Sequence, residues 1–412
     1  MKNKNRKSIR VSLPVCIVIT IIVAAITFQI TFLSVSQKYR NQEVEKNNAD
    51  IIEDWERKLS DIKSLVNGYY LYEIDEESQG SLKDTLPESY IASLGDEYAY
   101  YMSKEEYEAL YSSSDKATCG IGVTVIYNAA HSAVEIITVN SKSPAKENGV
   151  NPGDLIYSVE GQSVSEIGYE KAIELLAGKE GTNAVFSVYR KNGEDYESID
   201  FSIQRRIIEA ENVTYKLLEG NIGYIRIDSF GSNAEIQFNS AIDELLKLSA
   251  DRFIFDVRDT SSGSLEVLGK ILDIVLPEGK TVRLVDKSGN EEAIESDKNC
   301  INYPMTVIVN HNTASVGEIF AVALRDYEKA MLIGENTYGK GSAQSVFRLS
   351  DGSAVCITTQ KYLPPKSQSF DKTGLAPDVE AVLDDENKNK SVYQLTYEQD
   401  IQLKAAVEQL TK

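Results

Sequence analysis

The stretch TVIVNHNTASVGEIFAVALRDYEKAMLI, residues 306–333, decides the architecture of this chain. Thr306–Val309 is a short apolar and β-branched run, which reads as a buried strand. A polar turn follows, Ser315–Leu324 reads as a helix, and Met331–Ile333 is a second short strand. The same alternation continues outward. Ile222–Ile227 and Arg252–Val257 read as apolar strands, with helices over Asn233–Leu248 and Leu265–Ile274, and Ser345–Leu349 reads as a further strand. Strands that alternate with helices in this way imply an α/β core, a largely parallel sheet with helices packed on it.

Upstream, residues 117–206 change character. Short strands over Gly120–Val125 and Val134–Val139 precede Ser143-Pro144-Ala145 and Asn151-Pro152-Gly153-Asp154. The strand Leu155–Val159 and the helix Tyr169–Leu176 follow, then two strands joined at Asn192-Gly193, a hairpin signal. Residues 37–116 read as a helical N-terminal region. Ile51, Ile52, Trp55, Leu59, Ile62 and Leu65 fall at helical spacing, and further helices are expected over Ser81–Leu94 and Lys104–Tyr111. The tyrosines around Leu94-Gly95-Asp96-Glu97-Tyr98 read as packing against a larger domain. Residues 207–385 form the α/β core and 386–412 a charged, then helical tail.

Five basic residues and no acid occupy positions 1–10, and residues 11–36 carry no charge at all. About 20 apolar residues cross a hydrocarbon core. Residues 1–36 therefore read as a cytoplasmic basic flank and a single transmembrane helix, with the rest of the chain on the extracytoplasmic side of the cell membrane. A cleaved signal peptide is the alternative, although its apolar run is usually shorter. The chain has 412 residues and a net charge of −20, which argues against nucleic-acid binding because a basic face is needed to neutralise phosphates. Two histidines, His131 and His311, argue against a multi-histidine metal site. The four cysteines form no CxxC pair, so zinc knuckles and thioredoxin-type chemistry are excluded.

Ser315 sits at a strand-to-helix junction. With Glu318 three residues on it forms a capping box, but the free N–H groups and positive dipole end of a helix are also what a tetrahedral oxyanion requires. Gly334–Gly341 superficially resembles a phosphate-binding loop. It fails because Gly341 stands where serine or threonine must hold magnesium, and a strand rather than a helix follows. Lys340, between two glycines, is then either part of a surface loop or a general base, which a lysine becomes only in the neutral form. His311 lies near Ser315 but no motif supplies an acidic orienter.

These residues resemble the C-terminal processing peptidases, or tail-specific proteases, which carry a Ser-Lys dyad. The resemblance runs from about Leu94 to Val379. It is carried by Thr313-Ala314-Ser315, Glu318-Ile319, Gly339-Lys340-Gly341, Gln344, Leu349–Ser353, Thr358–Tyr362 and Gly374–Asp378. Ser315 to Lys340 is 25 residues and Lys340 to Gln344 is 4, as in that family. The resemblance implies Ser315 as nucleophile, Lys340 as general base, Gln344 as the residue that positions the lysine, and the backbone N–H of Val316 as one oxyanion donor. It also makes residues 117–206 a PDZ domain, an α+β small β-barrel with helices. The loop Cys119-Gly120-Ile121-Gly122 would hold the carboxylate of a bound chain end, though by itself that loop reads equally as a plain hairpin. No cofactor and no metal is implied. The expected partners are protein substrates with apolar C-termini, and residues before 115 are a candidate homodimer interface.

Two departures stand out. Where the family has Asp-Leu-Arg-x-Asn-Pro-Gly-Gly, this chain has Asp256-Val257-Arg258-Asp259-Thr260-Ser261-Ser262-Gly263. The resemblance places the second oxyanion N–H here, on Ser262 or, failing that, Gly263. The second serine of the family's Ser-Ala-Ser is Gly317. The readings are thus a membrane-anchored serine endopeptidase acting through an acyl-enzyme or, from the altered oxyanion segment, a catalytically impaired PDZ tether. A thiol peptidase is disfavoured, since neither Cys300 nor Cys356 sits at a helix start with a histidine motif.

Overall fold

The computed structural model describes residues 54–72, 76–114, 119–193, 195–388 and 390–412. The expected transmembrane segment lies outside the described residues, and among those described no helix is long and apolar enough to cross a membrane. The chain divides into two units, Met1–Leu82 and Lys83–Lys412. In the first, residues 54–69 form a helix.

The second unit holds two lobes. The smaller begins and ends in one place, because the strand Cys119–Gly120 pairs antiparallel with Arg206–Ile207. Its antiparallel sheet runs in the order Val123–Asn128, Ala133–Val139, Leu155–Val159, Asn183–Asn192, Asp195–Gln204. The helix Tyr169–Leu176 turns Ala172 and Leu176 into a core with Ile136, Ile156, Val159, Phe186, Val188 and Ile203. Along Asn183–Asn192 the alternate residues Ala184, Phe186 and Val188 are buried, the period of 2 of a strand with one covered face.

The larger lobe is built on a six-stranded sheet in the order Val213–Leu218, Ile222–Ile227, Arg252–Asp256, Met305–Val309, Ala330–Gly334, Val379–Glu380. The first pair is antiparallel and the rest are parallel. Ile222–Ile227 and Met305–Val309 are buried along their whole length, as expected of strands covered on both faces, and are mainly apolar apart from Arg226 and Thr306. Alternate side chains serve the two faces. Ile225, Ile227, Phe253, Phe255, Val307 and Leu332 join the core beneath the helices Ala234–Lys247, Leu265–Val275 and Val316–Asp326. Ile222, Ile254, Ile308 and Ile333 pack on the other face with Leu403 and Ala406 of the C-terminal helix Ile401–Thr411.

A second, antiparallel sheet was not foreseen. Ala354–Leu363 pairs with Gly279–Asp286, Ser342–Arg348 and Tyr100–Met102, and Gly279–Asp286 pairs in turn with Glu291–Ser296. Tyr100–Met102, in the stretch expected to be helical, is therefore a strand of this sheet. Its three residues are too few to show a period, and only the partner strand selects its conformation.

Candidate active site

Ser315 caps the helix Val316–Asp326 at the end of the strand Met305–Val309. The connecting turn is over-determined. Asn310 Oδ1 accepts from the backbone N–H groups of Asp259 (3.0 Å), Asn312 (3.2 Å) and Thr313 (3.1 Å), and Thr313 Oγ1 donates to the Val257 carbonyl (2.9 Å). Ala314 N–H donates to the Thr260 carbonyl (3.0 Å). These bonds fix the turn against residues 257–260 and hold Ser315 at φ +52°, ψ −114°. A non-glycine residue occupies this region only when its surroundings enforce it. Ser315 is 8% exposed, and Val316, the first helical residue, carries an N–H without a helical partner.

Glu318, read from sequence as half of a capping box, does more. Its carboxylate is fully buried. Oε2 accepts from Ser315 N–H (2.9 Å) and from Lys340 N–H (2.9 Å), while Oε1 accepts from Gly339 N–H (2.7 Å) and the Thr337 hydroxyl (2.5 Å). One oxygen thus joins the backbone nitrogens of the two residues singled out for chemistry. Burial pushes the Glu318 carboxyl up, and the four donors only partly oppose it. Sequence reasoning missed this role because the i,i+3 spacing had a sufficient local explanation.

The other expected residues are placed as follows. The Lys340 ammonium lies over the ring of Tyr98, 4.4 Å from its centroid. Gln344 Nε2 donates to Ser342 Oγ (3.1 Å) and Thr358 Oγ1 (3.0 Å), and Oε1 is the atom of this amide that can accept from an ammonium. Burial pushes the Tyr362 phenol up, and the Ser315 hydroxyl beside it acts in the opposite sense. Ser262 and Gly263 run beside Phe230. The Ser262 carbonyl accepts from Phe230 N–H (2.9 Å), and a Cβ at Gly263, where φ is +136°, would overlap the Phe230 backbone. His311 Nδ1 meets Glu335 Oε2 at 3.0 Å, an acidic partner that no motif announced.

Beneath this segment lies a buried ionic network. Asp256 bonds Arg258, Arg226 and the Tyr224 hydroxyl, and Arg258 reaches Asp400 and Gln402 of the C-terminal segment. Burial alone would raise the Asp256 carboxyl, but Arg258 and Arg226 hold it down at about 2.

The family model Peptidase family S41 matches residues 221–381, and the PDZ domain model matches residues 112–185. The carboxyl-terminal-processing protease of Synechocystis sp. is 30% identical over 332 residues, 79% of this chain and 76% of the relative. The carboxy-terminal processing protease CtpA of Bacillus subtilis is 32% identical over 330 residues, 80% and 69%. The chain belongs to peptidase family S41, among the carboxyl-terminal-processing proteases. A solved Bacteroides fragilis structure described as an S41 protease shares the fold, with 17% identity, a TM-score of 0.55, and 79% and 90% of the two chains covered.

The molecule is a serine-type peptidase with a PDZ domain, and the smaller lobe is that domain. A cavity of about 860 Å³ opens along its first long strand and helix, lined by Gly120, Gly122, Val123, Val125, Ile173 and Leu176. It extends to Asp228 and Tyr393 of the larger lobe. Gly122 has φ +81°, and a Cβ there would lie 2.3 Å from Ser143 Cβ, so the loop requires glycine. Both departures of the peptidase lobe meet in space. A Cβ at Gly317 would lie 2.5 Å from the Thr260 carbonyl oxygen.

Proposed function

We propose that this protease is a membrane-anchored endopeptidase in which Ser315 and Lys340 are nucleophile and general base. The observation that carries the reading is the shared Glu318 oxygen, which holds the backbones of both residues on one carboxylate. Neutral Lys340 takes the Ser315 proton as Oγ attacks the scissile carbonyl. The tetrahedral oxyanion is met by Val316 N–H at the helix start and by an N–H of Ser262 or Gly263. Its collapse breaks the C–N bond, the lysine returns the proton to the leaving amine, and water then hydrolyses the acyl-Ser315 ester by the same route. Gln344, whose amide nitrogen is anchored on Thr358, positions the lysine.

The PDZ groove captures substrates with apolar C-terminal tails, a role supported by its Val123, Val125, Ile173 and Leu176 lining. The uncharged segment 11–36 behind five basic residues supports a single anchor with the peptidase on the extracytoplasmic side.

The test incubates the full chain in detergent micelles with an unstructured protein ending in small apolar residues, and identifies fragments by mass spectrometry. Cleavage is expected from the wild type and not from Ser315→Ala or Lys340→Ala. Tail binding without cleavage by the wild type would refute the peptidase assignment of these residues and favour the tether.

A further inference from the structure

We propose that Tyr98 is a positioning residue of this active site, its ring face being the seat of the Lys340 ammonium. Tyr98 lies before both matched regions, 112–185 and 221–381. The inference rests on the reading of Lys340 as the base.

The geometry points this way for three reasons. Lys340 Nζ is 4.4 Å from the Tyr98 ring centroid, within the range of about 6 Å over which a ring face attracts a cation. Next, the residues on either side of Lys340 are glycines and have no side chain with which to support it. Each is required by its surroundings, since a Cβ at Gly341 would lie 2.6 Å from Asp371 Cβ, and Gly339 at φ +95° would meet Gly374 N at 2.8 Å. A base on four methylenes must be held in place from elsewhere if it is to meet a hydroxyl productively. Finally, the ring is itself firmly held. Tyr98 N–H donates to Asp96 Oδ1 (3.0 Å), and Asp96 is hydrogen-bonded by Thr358, the residue that also receives Gln344 Nε2 (3.0 Å). Two residues later the chain enters the strand Tyr100–Met102, in register with Cys356–Ala354. Gln344, Thr358, Asp96 and Tyr98 thus form a continuous support that ends under the lysine. This support adds to the positioning of the lysine expected of Gln344.

The charged groups around the seat are accounted for. Asp96 and Glu97 come from the ring's own segment, and Tyr338 and Glu318 from the lysine loop and the helix below it. Asp371 faces the loop through Gly341 N–H, and Lys372 acts on Asp96. A neutral side chain in place of the ring changes none of these charges.

The experiment compares the full-length wild type with Tyr98→Leu, Tyr98→Phe, Tyr98→Trp and Lys340→Ala. For Tyr98→Leu, kcat is expected to fall about ten- to hundredfold with KM within about twofold. A fall in kcat at nearly constant KM, restored by another ring at this position, separates placement of the lysine from a general loss of structure. The rate at which an amine-reactive acetylating reagent labels Lys340, followed by mass spectrometry, should rise once the ring no longer covers the amine, a readout that makes no reference to catalysis. Tyr98→Phe keeps the ring and should behave as wild type, while Tyr98→Trp offers a larger ring face, should slow the labelling below the wild-type rate, and decides the matter if Tyr98→Leu does not fold. Wild-type kcat and labelling in folded Tyr98→Leu would overturn the proposal. So would damage in Tyr98→Phe equal to that in Tyr98→Leu, which would assign the effect to the phenol's bonds with Glu97 and Tyr338. Full activity in Lys340→Ala would instead refute the base assignment, and the labelling shift would still report on the seat.

Discussion

Glu318 is the most informative residue to change, because its two oxygens do different work. Glu318→Gln keeps the shape and replaces one oxygen by an NH2 group. Facing Ser315 and Lys340, that group would leave two N–H donors without an acceptor. Facing Thr337 and Gly339, it leaves only the Gly339 N–H, since the Thr337 hydroxyl can rotate and accept. The second orientation is therefore selected, and it preserves the bonds to Ser315 and Lys340. The cost is one buried unsatisfied N–H, about 1–3 kcal/mol, plus weaker bonds once the charge is gone, for a total of about 3 kcal/mol. Glu318→Ala removes all four acceptors and frees Ser315 from the carboxylate that helps hold it at φ +52°, at a cost of about 5 kcal/mol. Urea unfolding reads the stabilities. For kcat/KM on an unstructured substrate, a loss of about tenfold is expected for glutamine and about thousandfold for alanine. Wild-type turnover in Glu318→Ala would refute the clamp. Equal damage in both variants would show that charge matters and the two-armed geometry does not.

Two further outcomes follow from particular residues. The Asp256 carboxyl sits at about 2 in the folded chain against 3.8 as a free side chain, so its contribution of about 2 kcal/mol is complete above pH 3.8 and lost as the pH falls through 2. Asp256→Asn should flatten that part of the stability curve in urea melts between pH 5 and 2, and an unchanged slope would refute the assignment. Gly122→Ala, which forces a Cβ against Ser143 at φ +81°, should weaken binding of a labelled apolar C-terminal peptide at least about tenfold by fluorescence anisotropy. Unaltered affinity would remove the loop from the peptide site.

The parallel sheet was legible because its strands are buried on both faces and its helices are amphipathic. Ile222–Ile227 has the boundaries in the fold that its apolar run suggests. The antiparallel sheet was not, because Gly279–Asp286 and Ala354–Leu363 mix polar and apolar residues whose pattern depends on cross-strand partners far away in sequence. Ser315 and Lys340 stood out as a serine at a helix start and a lysine between glycines, but what joins them did not. Glu318 looked like a cap, Asn310 like a turn residue and Tyr98 like packing. Each acts through partners 20 to 240 residues distant, a relation that no local window contains.

The altered oxyanion segment bears on whether this chain is a working enzyme or a decayed one, and the contact between Thr260 and Gly317 separates the two. If the loss of the family's second serine were decay, Gly317→Ser should restore function. The structure argues the reverse. The Thr260 carbonyl, which accepts from Ala314 N–H at 3.0 Å and thereby holds the turn that presents Ser315, occupies the space a Cβ would need at 2.5 Å. A serine could enter only by displacing that carbonyl and loosening the turn, an overpacking cost of about 1–3 kcal/mol. Gly317→Ser should therefore lower both the melting temperature and kcat/KM in the wild-type background. A gain in activity from that single change would refute this steric argument. A drop means that the turn as it stands here requires glycine at 317, so the absence of the serine is not a mark of decay.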